Sequence, residues 1–549
     1  MSIAPVPWDA NWSTVWDRVA AAVPDDIAVI VGERVVTYRE LEDRASRLAR
    51  ALAERGIGRG DAIGICHYNQ LEYVEAIYAA LKLSAIPVNM NYRYRSRELA
   101  DLIRISGSKL VIASASLRAE IAGAVALVES PVARIEVADT PIEPDPHAEE
   151  YESVLGDRYD GPDLRSGDDL IYLFTGGTTG TPKVVMWRHG DLFDAQLVSI
   201  FTPLGLPLPT KTEELWTHAG RLPVPPPITL PLAPLMHSSA MFSTMNTLVL
   251  GGTVVMLGSP SLDARQALET IERHRVTRLI LAGNAVAIPL VEALEQAAAE
   301  GRAIDVSTVN SIISSGMAFT TELKAQVRRY MPAMIMDTYG ATEGGPFAYS
   351  FVRSDEDLPP RIELAKGAAV IDADGRPVGP GGEGVLAYSG PMPLGYLNEP
   401  QKTAEVYREI DGRRWVSPGD WVRVLDADGG IEFLGRDSSV VNTGGEKVYP
   451  AEVEEALLEH PEVDDAVVFG VPDPRWGQAV SAVVAVHAGS TLDEESLRAF
   501  VGERLAGYKK PKRIIILDSL GRSPSGKADI PRLKALFTES QTTQQAPGR

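Results

Sequence analysis

From Trp12 to Asn91 strand-like and helix-like pieces alternate with little chain between them, and this order restricts the possible folds more than any other feature. Ile27 to Val31 and Val35 to Tyr38 flank Gly32-Glu33-Arg34 as a hairpin. Tyr38 to Arg55 then carries Leu41, Ala45, Leu48, Ala49 and Leu52 at helical spacing. Gly56 to Asp61 ends that helix and turns into a short strand, Ala62 to Cys66, after which a second helix, Leu71 to Leu83, leads through Ile86-Pro87-Val88. The order βαβ predicts a layered α/β domain with parallel strands. A strand at Leu110 to Ala113 and a helix at Leu117 to Leu127 continue it.

A further apolar run, Leu170 to Phe174, reads as a buried strand and empties into Thr175-Gly176-Gly177-Thr178-Thr179-Gly180-Thr181-Pro182-Lys183. Such a loop can wrap an oxyanion. Glycines let backbone N–H groups converge without Cβ interference, threonine hydroxyls add donors, and Lys183 supplies a point charge behind the rigid Pro182. It is not a Walker loop, because Thr181 and Pro182 separate Gly180 from Lys183. Taken alone, the segment also fits an ordinary surface turn.

Residues 140 to 168 have little periodicity and read as a surface connection. Phe201 to Pro234 holds nine prolines and reads as a long irregular insertion, either a lid or binding element or a solvated excursion. The alternation resumes with a strand at Gly252 to Leu257, a helix at Ala264 to His274, a strand at Arg278 to Ala282, a helix at Val286 to Glu300 and a strand at Thr308 to Ser314. After Ile371, Gly and Asp pairs separate shorter strands, which predicts an antiparallel β module. From Gly435 onward a smaller α+β unit is expected. Its elements are a helix at Ala451 to Glu459, strands at Asp465 to Val471 and Ala479 to Val486, a helix at Leu492 to Leu505 and a strand at Arg513 to Leu517. The fold class is therefore α/β, with a large domain over 1–435, built of layered α/β parts plus a β module, and a small α+β domain over 436–549.

At 549 residues the chain exceeds what one core organises, in keeping with that division. Fifty-three basic against 74 acidic residues leave a net charge of −21, which argues against a nucleic-acid partner held by a general basic surface. An anionic small molecule is not excluded, since a phosphate needs only a local cluster of donors. The single cysteine, Cys66, rules out an internal disulfide and reads as a buried structural thiol. Met1 to Trp12 lacks a basic region followed by an apolar run, and no window approaches the ~20 apolar residues a spanning helix needs. A cytoplasmic location is expected, with peripheral membrane contact left open. The oligomeric state is not readable, and a homodimer is compatible with it.

Several separated motifs together resemble the adenylate-forming superfamily of acyl-CoA synthetases, aryl-CoA ligases, luciferases and peptide-synthetase adenylation domains. Thr175 to Lys183 is similar to its phosphate loop, Ala233-Pro234-Leu235-Met236-His237 to its acid-site motif, and Tyr339-Gly340-Ala341-Thr342-Glu343 to its adenine and metal motif. Ser417-Pro418-Gly419-Asp420 resembles the ribose motif, Gly435-Arg436-Asp437 the domain junction, and Ser523-Pro524-Ser525-Gly526-Lys527 the loop of the mobile catalytic lysine. The resemblance implies an AMP-binding adenylation domain followed by a mobile C-terminal domain. It also implies a two-step reaction in which a carboxylate attacks the α-phosphate of ATP and a thiol then displaces AMP. By the same resemblance Thr175, Gly176, Gly177, Thr178, Thr179, Gly180 and Lys183 would hold the β- and γ-phosphates. Thr342 would contact the α-phosphate, and Glu343 would hold Mg²⁺, a hard cation suited to an oxygen ligand. Tyr339 would pack on adenine opposite Ser315-Gly316-Met317, Asp420 and Arg436 would meet the ribose, and Lys527 would reach the reacting oxygens. Gly444 and Gly445 would let the pantetheine arm of CoA pass, and His237 would sit where acyl and thiol tunnels meet. Lys509, Lys510, Lys512 and Arg513 either meet the CoA phosphates or form a solvated charged loop.

The chain departs from the family at Val184, where glycine is usual, and at Gly176, where serine is common. Ser438 stands where an aspartate or lysine marks the hinge, and Gly283-Asn284-Ala285-Val286 stands where Pro-Pro-Thr is frequent beside the acid pocket. Val185-Met186-Trp187-Arg188-His189 and Asn442 to Lys447 look most like actinobacterial fatty-acyl and sterol-side-chain synthetases. The implied activity is an ATP-dependent acyl-CoA synthetase for a medium- or long-chain or bulky alicyclic acid. The alternatives are an acyl-AMP ligase that loads a carrier protein and a nucleotide-binding homologue without catalysis. No Gly-x-Ser-x-Gly elbow or His-Glu-x-x-His pattern supports a hydrolase.

Overall fold

The computed structural model describes residues 8–175, 182–316, 319–436, 440–487, 489–521 and 528–544. The chain divides into two units. One comprises Met1–Tyr92, Leu99–Thr175 and Lys183–Asp437, and the other Arg93–Glu98, Gly176–Pro182 and Ser438–Arg549.

The larger unit holds two mainly parallel sheets and an antiparallel one. The first runs, edge to edge, Ile362–Leu364, Gly344–Val352, Met334–Ala341, Ser311–Ser315, Arg278–Leu281, Ile228–Pro231, Thr253–Met256, Ile27–Val31 and Arg34–Thr37. The second runs Gly395–Tyr396, Lys183–Arg188, Leu170–Thr175, Ile86–Asn89, Ala62–Cys66, Leu110–Ser114, Ala133–Val137 and Glu149–Glu150. Its central strands are apolar at nearly every position because helices and loops cover both faces. Helix Tyr38–Glu54 starts where Thr37 and Glu40 close a capping box, and it buries the stripe Leu41, Ala45, Leu48, Ala49 and Leu52. Helix Leu71–Lys82 is buried on all sides. Aromatic side chains bind these layers together: Trp12 stacks on Phe193 with ring centroids 4.4 Å apart, and Trp16 meets Tyr78 edge-on at 5.1 Å.

Two expectations change here. The first βαβ run does not close within one sheet, since Ile27–Val31 pairs in parallel with Thr253–Met256 while Ala62–Cys66 pairs with Ile86–Asn89 and Leu110–Ser114. Periodicity specifies that a strand exists, and its partner comes from far along the chain. The proline-rich stretch read as irregular also contains a central strand, Ile228–Pro231, set between Thr253–Met256 and Arg278–Leu281. Pro231 ends that strand, so the missing N–H interrupts no continuing ladder.

The β module after Ile371 is antiparallel as expected, with Tyr407–Ile410, Arg413–Val416, Glu383–Tyr388, Asp420–Val424 and Ile431–Arg436 in order and Ala368–Ile371 paired to Glu383–Tyr388. The smaller unit carries a sheet of Glu446–Val448, Val441–Thr443, Gly477–Val486 and Val463–Asp473, with Arg513–Leu517 added in parallel to Gly477–Val486. Helices Pro450–Leu458 and Glu494–Gly502 belong to this unit, and Val453, Leu457, Leu497 and Val501 enter its core. Among the described residues no helix is long and apolar enough to cross a membrane. Cys66 is buried and free, and burial pushes its thiol up to about 12.

His189 begins helix His189–Phe201 and is fully buried, its Nδ1 accepting the Trp12 N–H at 3.1 Å. Burial pushes this imidazole from 6.5 down to about 3. Between those values the unfolded chain binds the extra proton, so the contribution of neutral His189 to stability is complete above pH 6.5 and declines as pH falls toward 3. An NMR titration of the eight histidines should show one imidazole that stays neutral as far down as the native protein persists, with its signal assigned by loss in His189→Gln.

Candidate functional site

Strands Leu170–Thr175 and Lys183–Arg188 are antiparallel partners with Thr175 opposite Lys183, so the Gly/Thr segment joins the two arms of a hairpin. Gly176, Gly177, Thr178, Thr179 and Gly180 lie outside the described residues, as do Met317 and Lys527. Val184 is a fully buried strand residue opposite Phe174, and β-branched valine suits that position where glycine would pack nothing.

A second hairpin supplies the carboxylate. Met334–Ala341 and Gly344–Val352 pair with Ala341 opposite Gly344, which makes Thr342 and Glu343 the two residues of the turn. Gly344 holds φ +151°, and a Cβ there would stand 2.7 Å from Val416 Cγ1, so the turn demands glycine at this place.

Glu343 is only 8 % exposed. Its Oε1 accepts from Tyr396 Oη at 2.9 Å and from Thr175 Oγ1 at 3.3 Å, and its main-chain carbonyl accepts from Tyr407 Oη at 2.9 Å. Among the described residues Oε2 is buried and has no hydrogen-bond partner. A buried unpaired acceptor costs about 1–3 kcal/mol, and more when it belongs to a charged group, so an oxygen in this setting gains from a partner. A hard divalent cation fits the donor. Among the described residues there is no cluster of three or more His, Cys, Asp or Glu that could hold a metal ion.

Lys183 is 9 % exposed, and its Nζ lies 5.7 Å from the centroid of the Tyr396 ring. Burial holds its pKa below the usual lysine value, helped by Lys402 and opposed by Glu399 and Glu343. Trp187, on the same strand, donates from Nε1 to the carbonyl of Thr342 at 2.9 Å and ties the two hairpins together.

The other expected nucleotide contacts sit on adjoining strands. Ser315 ends a strand in parallel register with Thr338, next to Tyr339, and Gly316 follows with φ +81°. The Tyr339 ring stacks on Phe433 at 4.9 Å and 24°, and burial pushes its phenol up to about 12. Phe433 belongs to the strand that pairs with Asp420–Val424, and in that pairing Asp420 stands opposite Arg436. Asp420 thus begins a strand, and its register partner is the residue expected to share the ribose.

His237 caps helix Ser238–Val249 without a side-chain cap bond. The motif before it is held by two side-chain amides, of which Asn89 is buried. Asn69 Nδ2 donates to the Pro231 and Ala233 carbonyls at 3.2 and 3.1 Å, and its Oδ1 accepts the Leu235 N–H at 2.8 Å. Asn89 accepts the Phe174 N–H at 3.3 Å and donates to the Met236 carbonyl, which joins the acid motif to the phosphate strand. Gly283 to Val286 forms the first turn of helix Gly283–Ala299, where Asn284 Oδ1 accepts the Thr320 N–H at 3.1 Å.

In the smaller unit Gly444 and Gly445, with φ +63° and +84°, make the turn between Val441–Thr443 and Glu446–Val448. The Gly444 N–H donates to the Trp476 carbonyl at 3.0 Å, and a Cβ at Gly444 would stand 2.7 Å from the indole. Lys509 belongs to neither expected account of the basic loop. It is 3 % exposed and donates to Glu452 at 2.8 Å, a buried ion pair rather than a solvated or phosphate-seeking cation.

The site residues not anticipated from sequence are Tyr396, Tyr407, Trp187, Phe433, Asn69 and Asn89. The last of these carried a readable sign, an amide ending the apolar run Ile86-Pro87-Val88. The tyrosines carried none beyond the glycine before Tyr396.

The chain belongs to the AMP-binding enzyme family, whose model matches residues 16–397, and the AMP-binding enzyme C-terminal domain matches 452–527. It is 36% identical to the medium/long-chain-fatty-acid–CoA/3-oxocholest-4-en-26-oate–CoA ligase of Mycolicibacterium smegmatis, over 94% of this chain and 95% of that protein. It is likewise 36% identical to the 3-oxocholest-4-en-26-oate–CoA ligase of Rhodococcus rhodochrous, over 94% of each. Among solved structures, the amide bond synthetase McbA of Marinactinospora thermotolerans superposes with a TM-score of 0.79 at 26% identity, covering 96% of this chain and 99% of that one.

Proposed function

We propose that the chain is a cytoplasmic, ATP-dependent acyl-CoA synthetase for medium- or long-chain fatty acids or the side-chain acids of sterols. The observation that carries the reading is the pair of hairpins that brings Thr175, Lys183, Thr342 and Glu343 to one place and leaves one buried oxygen of Glu343 without a partner among the described residues. The names of the two ligases support the acid class and CoA as acceptor.

In the first step a carboxylate oxygen of the acid attacks the α-phosphorus of ATP. The bond to the bridging oxygen breaks, and pyrophosphate leaves. Little covalent work falls to the protein, so its contribution is position and charge. Thr175 and Lys183 hold the terminal phosphates, Thr342 meets the α-phosphate, and Lys527 reaches the oxygens on which charge builds. Mg²⁺, held by Glu343, would neutralise phosphate charge and polarise the phosphoryl oxygens. Tyr339, with Ser315 and Gly316, takes adenine; Asp420 and Arg436 take the ribose. In the second step the CoA thiol sulfur attacks the acyl carbon, AMP leaves, and Gly444 and Gly445 give the pantetheine arm close backbone approach. His237 lines the route of acyl group and thiol.

Incubation with ATP, Mg²⁺, CoA and acids of graded chain length and ring size should give AMP and an acyl-CoA, read by mass spectrometry, with turnover highest for long-chain or sterol-derived acids. Acyl-AMP accumulating with CoA present would favour carrier-protein loading. Absence of any acid-dependent AMP across the panel would leave a binding protein without catalysis.

A further inference from the structure

We propose that Tyr396 is a positioning residue that serves both charged groups of the triphosphate site, its hydroxyl orienting the Glu343 carboxylate and its ring supporting Lys183. The inference rests on the reading of Glu343 as the Mg²⁺ carboxylate and adds to it a reason why Oε2 is the oxygen left for the cation.

The hydroxyl of Tyr396 makes the shorter of the two side-chain hydrogen bonds to Glu343 Oε1, at 2.9 Å against 3.3 Å for Thr175. Both engage the same oxygen. With Oε1 occupied from two sides and the carbonyl of Glu343 held by Tyr407, the carboxyl group cannot turn without breaking buried hydrogen bonds, and Oε2 has no partner among the described residues. Metal-binding carboxylates depend on such outer partners for orientation.

The ring does separate work. Lys183 Nζ stands 5.7 Å from its centroid, inside the range in which a cation is attracted to an aromatic face, and the pair is buried enough for that attraction to count. A lysine that must leave water to meet phosphate gains a partner that does not neutralise it, whereas a carboxylate in that place would compete with the nucleotide.

The backbone fixes where Tyr396 sits. Gly395–Tyr396 pairs antiparallel with the strand that begins at Lys183, and on either side the Leu394 and Leu397 N–H groups donate to the Met186 and Val184 carbonyls at 2.8 and 2.9 Å. The Tyr396 N–H donates to Thr403 Oγ1 at 3.0 Å, and a Cβ at Gly395 would lie 2.4 Å from the Thr403 methyl, which is why a glycine precedes the tyrosine. Tyrosine and lysine are therefore placed by one strand pair, and the carboxylate reaches the tyrosine from a different sheet.

Tyr396→Phe removes the hydroxyl and keeps the ring, whereas Tyr396→Leu removes both. The probe is Mn²⁺, followed by electron paramagnetic resonance in the presence of a non-hydrolysable ATP analogue, with melting temperature as the control for folding. Tyr396→Phe should weaken Mn²⁺ by about tenfold or more, with metal-free binding of the analogue nearly unchanged. Tyr396→Leu should weaken metal-free analogue binding by about three- to tenfold in addition. Should the leucine variant not fold, the phenylalanine variant alone decides the hydroxyl. Wild-type Mn²⁺ affinity in Tyr396→Phe, with affinity lost in Glu343→Gln, would overturn the role of Tyr396 and leave the reading of Glu343 intact. Unchanged affinity in Glu343→Gln as well would overturn both.

Discussion

Glu343→Gln is expected to lower acid-dependent adenylation by about 10² to 10³ while leaving the protein as stable as before or more so. The two effects have opposite signs for one reason. Glutamine can keep a carbonyl oxygen where Tyr396 and Thr175 donate, so the turn between Met334–Ala341 and Gly344–Val352 retains its hydrogen bonds. The substitution removes a buried carboxylate with one oxygen unpartnered among the described residues, which is a cost to the folded state and an asset only when a cation arrives. Pyrophosphate exchange into ATP measures the first effect and thermal melting the second. Loss of activity accompanied by a fall of several degrees in melting temperature would mean that Glu343 supports the fold rather than the reaction.

Lys527→Ala is expected to be selective. Adenylation should collapse by about 10² to 10³, the usual consequence of losing one transition-state contact, whereas thioester formation from supplied acyl-AMP should largely survive. Lys527 lies outside the described residues, and its role comes from the Ser523 to Lys527 motif within the C-terminal family match over 452–527. Single-turnover measurements of each half-reaction separate the two steps. Equal loss in both would remove the assigned role.

Local elements were readable where the pattern is self-contained. Helix Ala264–His274 and strands Ile27–Val31 and Arg513–Leu517 fall where periodicity puts them, because amphipathic spacing and flanking turn residues are properties of a single segment. Sheet membership was not readable. The parallel partner of Ile27–Val31 is Thr253–Met256, and nothing within either segment names the other. The strand Ile228–Pro231 was hidden by the prolines around it, and it forms because two neighbouring strands leave a slot that apolar Ile228 and Leu230 can fill.

The site divides in the same way. Thr175, Lys183, Thr342, Glu343 and Asp420 lie in contiguous motifs, and those motifs are what single them out as candidates. Tyr396, Tyr407, Phe433 and Trp187 act through contacts that join separate strands, as when Trp187 donates to the Thr342 carbonyl. A tyrosine beside a glycine in a short strand has the same local pattern whether it orients a carboxylate or merely fills a core. Lys509 failed in the opposite direction: a cluster of basic residues resembles a solvated loop until Glu452 is seen against one of them.

The most direct test of the account is exchange of labelled pyrophosphate into ATP by the purified protein without CoA, with and without a long-chain fatty acid or a sterol side-chain acid. An acid-dependent exchange that disappears in Glu343→Gln is the predicted result. Exchange independent of any acid, or undiminished in Glu343→Gln, would contradict the assignment of the paired hairpins as an adenylation site.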